Sequence, residues 1–140
     1  MNQEERHSWV FDRTAGRCHI CRGPLAFCNY GRHGRRGAWN YEHSLAQSLG
    51  GTDHPSNLYA AHIGCNSRKG VRSSRSARRE WGHARAPRSR ARCEERQEQA
   101  LILGGVAGLL LARLFGAQPQ QAFAWMVVGG AAGHSMWADD

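Results

Sequence analysis

A repeated ligand spacing constrains the fold of this chain more than anything else in its sequence. Cys18 and Cys21 enclose two residues, His62 and Cys65 enclose two more, and forty residues separate the pairs. Together they offer four donors of the kind that surround a tetrahedral ion. A lone Cys-x-x-Cys would also suit a thioredoxin-type redox pair, but no βαβ pattern surrounds this one. The expectation is a structural Zn²⁺ site formed by Cys18, Cys21, His62 and Cys65. The part of the chain that it would staple is small, and below about 80 residues a metal or disulfide usually supplements the core. The cysteines number five, an odd count for a fully disulfide-bonded fold. Residues 1–17 are polar and charged, without an apolar run. A reducing cytoplasm with metal-bound thiolates is therefore expected. Cys28 and Cys93 have no partner at ligand spacing and read as ordinary thiols.

Local patterns suggest an α+β fold. Glu4 to Arg13 reads as a short helix with Trp9, Val10 and the stem of Arg13 turned inward. Thr14-Ala15-Gly16 stops it, because glycine readily takes the left-handed cap conformation. Arg22-Gly23-Pro24 turns the chain after the first cysteine pair, and His19 inside that knuckle is expected to be exposed. Leu25 to Arg36 forms an irregular basic loop. Ala38 to His43 alternates as a short strand, and a loop turned by Gly50-Gly51 follows. Ser56 to Ala61 is a second strand. Asn66 then begins a helix that carries Arg68, Lys69, Arg72 and Arg75 to about Glu80.

The formal charge is +8, which points to a polyanionic partner, with nucleic acid ahead of an anionic membrane surface. Of the 19 basic side chains, only Lys69 is a lysine. The arginine fork can donate two parallel hydrogen bonds to a phosphate, although base composition alone also enriches arginine. Residues 68–96 hold eleven of these basic groups. Such a density binds nucleic acid by counterion release without reading sequence, and a solvated linker is the plainer alternative.

The stretch from Tyr41 to Gly70 adds Glu42-His43, Gly50-Gly51, Asn57-Leu58, Asn66 and Lys69-Gly70 to the two ligand pairs, in that order. Over about residues 6–75 the chain resembles the HNH endonuclease family, in its zinc-ribbon subtype. The resemblance implies a ββα-metal (His-Me finger) core stapled by a zinc knuckle, and metal-dependent hydrolysis of DNA phosphodiesters. It implies His43 as the general base, with Glu42 and Asn66 holding Mg²⁺ or Mn²⁺. Asn57 fixes the loop in this scheme, and Arg68, Lys69 and Arg72 touch the nucleic-acid backbone. Physical chemistry is consistent with those roles. An imidazole accepts protons in the physiological range, and oxygen ligands suit hard divalent ions. Three departures stand out. Glu42 takes a position where Asp is commoner, His62 replaces a cysteine, and Asn66 occupies the final His position, giving an H-N-N variant. No organic cofactor is implied. A zinc-dependent nucleic-acid-binding module without catalysis, or a membrane-tethered basic adaptor, would share many of these features.

The organisation expected from these patterns is a nuclease domain over residues 1–80, a basic linker over 81–99 and a Gly-rich apolar helical hairpin over 100–138. In the hairpin, Ala100, Gly104, Gly108, Ala112 and Gly116 recur every four residues, forming one small-residue stripe on a helix. Gly129 and Gly133 repeat the device in the second segment. Small-residue stripes allow close helix packing, as in membrane helix pairs. A span needs ~20 apolar residues, however, and the first segment reaches that length only by including Arg113. Association of residues 100–137 with a membrane and self-association in water are both open on this reading.

Overall fold

The computed structural model describes residues 2–114. The chain divides into two compact units, residues 1–90 and residues 91–140.

The first unit begins with helix α1, Gln3–Asp12. Asn2 starts it through a reciprocal capping box. The Asn2 side chain accepts from the Glu5 amide at 2.8 Å, and the Asn2 amide donates to the Glu5 carboxylate at 2.9 Å. Two backbone donors that a helix start would leave orphaned are thereby satisfied. Val10 and Phe11 are the buried residues of α1, whereas Trp9 is 40% exposed. The expected inward face was thus one residue out of register, with Phe11 inside in place of Trp9. At the helix end Gly16 lies at φ +71°, and a Cβ there would stand 2.8 Å from the Phe11 ring. The stop is therefore both a left-handed turn and a close packing contact.

Two short strands form the sheet. β1, Trp39–His43, pairs antiparallel with β2, Leu58–His62, from Trp39 opposite His62 to His43 opposite Leu58. Alternation sends Trp39, Tyr41 and His43 to one side of β1 and Asn40 and Glu42 to the other. Trp39 meets Phe11 with ring centroids 5.3 Å apart and joins Val10, Phe11, Leu58 and Ala60 in the core. Full burial of a Val, Leu or Phe contributes roughly 1.5–3 kcal/mol, so this cluster is what holds α1 to the sheet. A second cluster joins Cys18, Ile20, Ala61 and Ala77.

The expected helix from Asn66 to Glu80 is two helices. α2 covers Ile63–Lys69, and α3 covers Ser74–Arg79. Gly70 at φ +56° ends the first, and the Ser73 side chain caps the second by accepting from the Ser76 amide. α2 also begins three residues before the expected start, directly after β2, so His62 and Cys65 straddle its first turn. The second strand is likewise shifted, because Pro55–Asn57 form a 3₁₀ turn ahead of it.

In the second unit, α4 spans Arg90–Leu114. Residues 90–99 of the basic segment belong to this helix. Ala100, Gly108 and Ala112 of the small-residue stripe are buried, whereas Leu103, Leu110 and Leu114 are 70%, 60% and 80% exposed. Among the described residues, no helix is long and apolar enough to cross a membrane. The second hairpin segment lies outside the described residues.

Candidate active site and metal centre

The two ligand pairs meet. One donor atom from each of Cys18, Cys21, His62 and Cys65 lies within 4.8 Å of the others. A tetrahedron with bonds of about 2.0–2.3 Å has edges of roughly 3.5–3.8 Å, so a small contraction suffices to close the set on an ion. The His62 ring is already aimed. Its Nδ1 stands 3.3 Å from the Cys21 Sγ, and its Nε2 stands 3.1 Å from the Pro24 carbonyl. A carbonyl only accepts, so Nε2 carries the hydrogen and Nδ1 presents its lone pair to the cluster.

The knuckle supplies the rest of the cradle. Arg22 sits at φ +59°, and Gly23 follows. A Cβ at Gly23 would stand 3.1 Å from the His62 ring and 3.4 Å from the Cys21 sulfur. The amides of His62 and Ile20 donate to the Cys18 sulfur at 3.3 and 3.4 Å. A hydrogen bond from Cys65 and these backbone donors hold the Cys18 thiol down to about 4, against burial, and Cys65 is pushed up by the same exchange. The donor set therefore fits a thiolate-binding metal such as zinc: three cysteines and one histidine, with donors already turned toward the sulfur.

The side of β1 that packs Trp39 against α1 opens to solvent at its far end, and on this outer side His43 closes the strand. Its Nε2 is 2.7 Å from the Asp53 carboxylate, which also accepts from Gln47 at 3.0 Å. A carboxylate only accepts, so Nε2 bears the hydrogen and Nδ1 is left with the lone pair. The His43 side chain is 18% exposed and Asp53 is 63% exposed, so the pair is open to solvent. Hydrogen bonding to His43 lowers the Asp53 carboxyl pKa.

Asn57 builds the loop that brings these two residues together. Its carbonyl oxygen accepts from the Leu45 amide at 2.8 Å, and its nitrogen donates to the carbonyls of Leu45 and Thr52 at 3.0 and 2.9 Å. Gly51 completes the closure, because a Cβ there would fall 1.9 Å from the Leu45 oxygen. Asn57 thus ties the loop down.

On the inner side of β1 the expectations change. Glu42, expected to hold a catalytic ion, has 0% exposure. Its Oε1 accepts from Ser74 at 2.7 Å and pairs with the Lys69 ammonium at 3.1 Å, while Oε2 faces the His19 Nδ1 at 3.3 Å. Burial raises the Glu42 pKa, but His19, Ser74 and Lys69 together outweigh it and hold the carboxyl below its usual range.

Lys69, expected on the nucleic-acid face, is 3% exposed and donates to the His43 carbonyl at 2.8 Å. An ammonium so committed is not free to meet a phosphate. His19 is 2% exposed rather than solvated, its Nε2 bonded to Arg78 and its ring 3.9 Å from the Tyr59 ring. Asn66 donates to the Asn40 side chain at 3.0 Å and to the Tyr41 carbonyl at 2.8 Å. Glu42, its expected co-ligand, is enclosed. Of the three expected phosphate contacts, Arg68 and Arg72 remain on the surface. Arg68 lies over Trp81, 5.8 Å from the ring centroid, and Arg72 pairs with Glu80.

Asp53 is the site residue that the motif reading passed over. Its only sequence signal is a carboxylate two residues after Gly-Gly and four before Asn57, within reach of a strand-terminal His once the loop closes. No protein-family model, curated protein or solved structure matches the chain. The nuclease resemblance therefore rests on its motifs alone.

Proposed function

We propose that residues 1–90 form an endonuclease that hydrolyses DNA phosphodiester bonds, with His43 as the general base. The observation that carries this reading is the His43–Asp53 pair at the solvent-facing end of β1, on a loop fixed by Asn57. The Asp53 carboxylate holds Nε2 and sets the tautomer. Nδ1 takes the proton from a water as that water attacks phosphorus, and the bond from phosphorus to the leaving sugar oxygen breaks, that oxygen taking a proton from solvent. Lys69 and Glu42 do not touch the substrate in this scheme. Lys69 anchors the His43 carbonyl from inside and fixes the backbone from which the imidazole projects. Zn²⁺ on Cys18, Cys21, His62 and Cys65 acts as a staple that joins the knuckle to the start of α2.

The ββα-metal reading also calls for Mg²⁺ or Mn²⁺ as a Lewis acid. The pair assigned to it does not fit as it stands, because the Glu42 carboxylate is enclosed and already neutralised by Lys69. No step is therefore drawn through that ion.

Incubation of the full chain with supercoiled plasmid tests the proposal, with Mg²⁺, Mn²⁺ or a chelator present and a His43→Ala control. The expected result is nicking or linearisation that needs His43. Absence of cleavage by folded, zinc-loaded protein overturns it. The burial of Glu42 and Lys69 favours one alternative, a zinc-dependent module that binds nucleic acid without cutting. That alternative predicts salt-sensitive binding that is indifferent to His43.

A further inference from the structure

We infer that the cavity between the start of α1 and the outer side of β1 is a phosphate subsite for a nucleic-acid strand. This rests on the nuclease reading and extends it to a surface that the motifs do not touch. The cavity holds about 290 Å³ and is lined by Asn2, Gln3, Arg6, His7 and Tyr41. Two polar atoms of its lining residues, the His7 Nε2 and the Tyr41 hydroxyl, are enclosed without a hydrogen-bond partner among the described residues. Such atoms cost free energy unless something meets them. The aromatic packing that holds them is firm, with His7 3.9 Å from the Tyr30 ring and 5.5 Å from the Tyr41 ring.

The chemistry of the lining selects the ligand. The Arg6 guanidinium, the tyrosine hydroxyl and an imidazole N–H are all donors, and a phosphate oxygen accepts from each. Arg6 makes no ion pair among the described residues, and its charge is felt at both Tyr41 and Asp53. Tyr41 and His43 lie on the same side of β1, two residues or about 7 Å apart, so one strand can touch both. Three acids lie near this region: Glu5 accepts from the Asn2 amide, Glu4 acts on His7 through its charge, and Asp53 is occupied by His43.

The test uses the full-length protein and a short single-stranded oligonucleotide with a 5′-phosphate. Binding is measured for wild type, Arg6→Gln and Tyr41→Phe, with the His7 ring resonances followed by NMR. Inorganic phosphate is titrated in parallel. Tyr41→Phe removes only a hydroxyl that has no partner, so its fold is preserved. The expected result is a shift of the His7 resonances and roughly tenfold weaker binding in each variant, the size of one charge-assisted or buried hydrogen bond. Unchanged affinity in both variants, or silent His7 resonances on binding, overturns the proposal. So does a response to inorganic phosphate alone, which marks a small-anion site only. If the subsite fails while His43-dependent cleavage persists, the nuclease reading stands. If His7 responds but wild type never cuts, the nuclease reading falls and the subsite survives.

Discussion

Glu42 and His43 are neighbours in sequence and opposites in environment. Glu42 points inward, has no exposure and meets a lysine, a serine and a histidine. His43 points outward and meets one exposed carboxylate beside open water. One peptide bond separates an enclosed carboxylate from the proposed base, because consecutive strand residues face opposite sides. The inner side fixes where the backbone of His43 lies, through Lys69. The outer side fixes how its ring is turned, through Asp53. The comparison teaches that an acidic residue next to a candidate base need not serve the same chemistry.

Removing the metal should break both sides at once. Structural zinc sites contribute about 10–16 kcal/mol to small domains, more than residues 1–90 are expected to hold in reserve. A strong chelator, or Cys18→Ser, should abolish the cooperative unfolding transition of that unit in circular dichroism. A folded, metal-free unit would remove the staple from the argument.

Glu42→Gln attacks the inner side alone. Breaking a buried pair leaves the Lys69 charge unmatched and costs about 3–5 kcal/mol, read as a lower denaturant midpoint. A change within experimental error would mean that Glu42 is not enclosed as described. Gly51→Ala attacks the outer side through its loop. The added Cβ meets the Leu45 carbonyl, and overpacking of this kind typically costs about 1–3 kcal/mol. Cleavage should fall more than stability, since the loop carries Asp53.

Acid should separate the two sides further. Burial keeps His19 neutral and lowers its pKa, so the unfolded chain binds a proton there that the folded chain resists. Stability is then intact above about pH 6.5, the unfolded value, and lost as pH falls below it. Glu42 is held below its usual range and contributes stability above about pH 4.3, its unfolded value, which is lost as pH falls through the lower folded value. Thermal scans from pH 8 to 5 should show the histidine part first. Because Glu42 raises the His19 value, Glu42→Gln should steepen that loss. Parallel pH curves for the two proteins would contradict the network.

The smallest effect on stability belongs to Asp53→Asn, since that carboxylate lies at the surface. Its thermal midpoint should match wild type. Cleavage should fall by about ten- to a hundredfold, less than the roughly hundred- to ten-thousandfold a general base supplies, because the ring loses the partner that sets its tautomer. An unchanged rate would leave Asp53 a bystander.

The ligand spacing determined much of this protein by itself. Two x-x pairs specify a tetrad wherever the chain can bring them together, and Cys18, Cys21, His62 and Cys65 do converge. The ends of α1 and β1 were legible too, because a glycine stop and strict alternation act over only a few residues. The loop role of Asn57 came only from the family resemblance. Tertiary structure alone decided which side of β1 each residue faces and what waits there. Nothing local announces that Lys69 folds inward to Glu42, that Gly70 divides one expected helix into two, or that Phe11 rather than Trp9 enters the core. Asp53 reaches His43 only after the loop closes across ten residues. Short-range propensity can be read along the chain, but partners for buried charge are chosen by whatever the fold packs against it, and that choice is non-local.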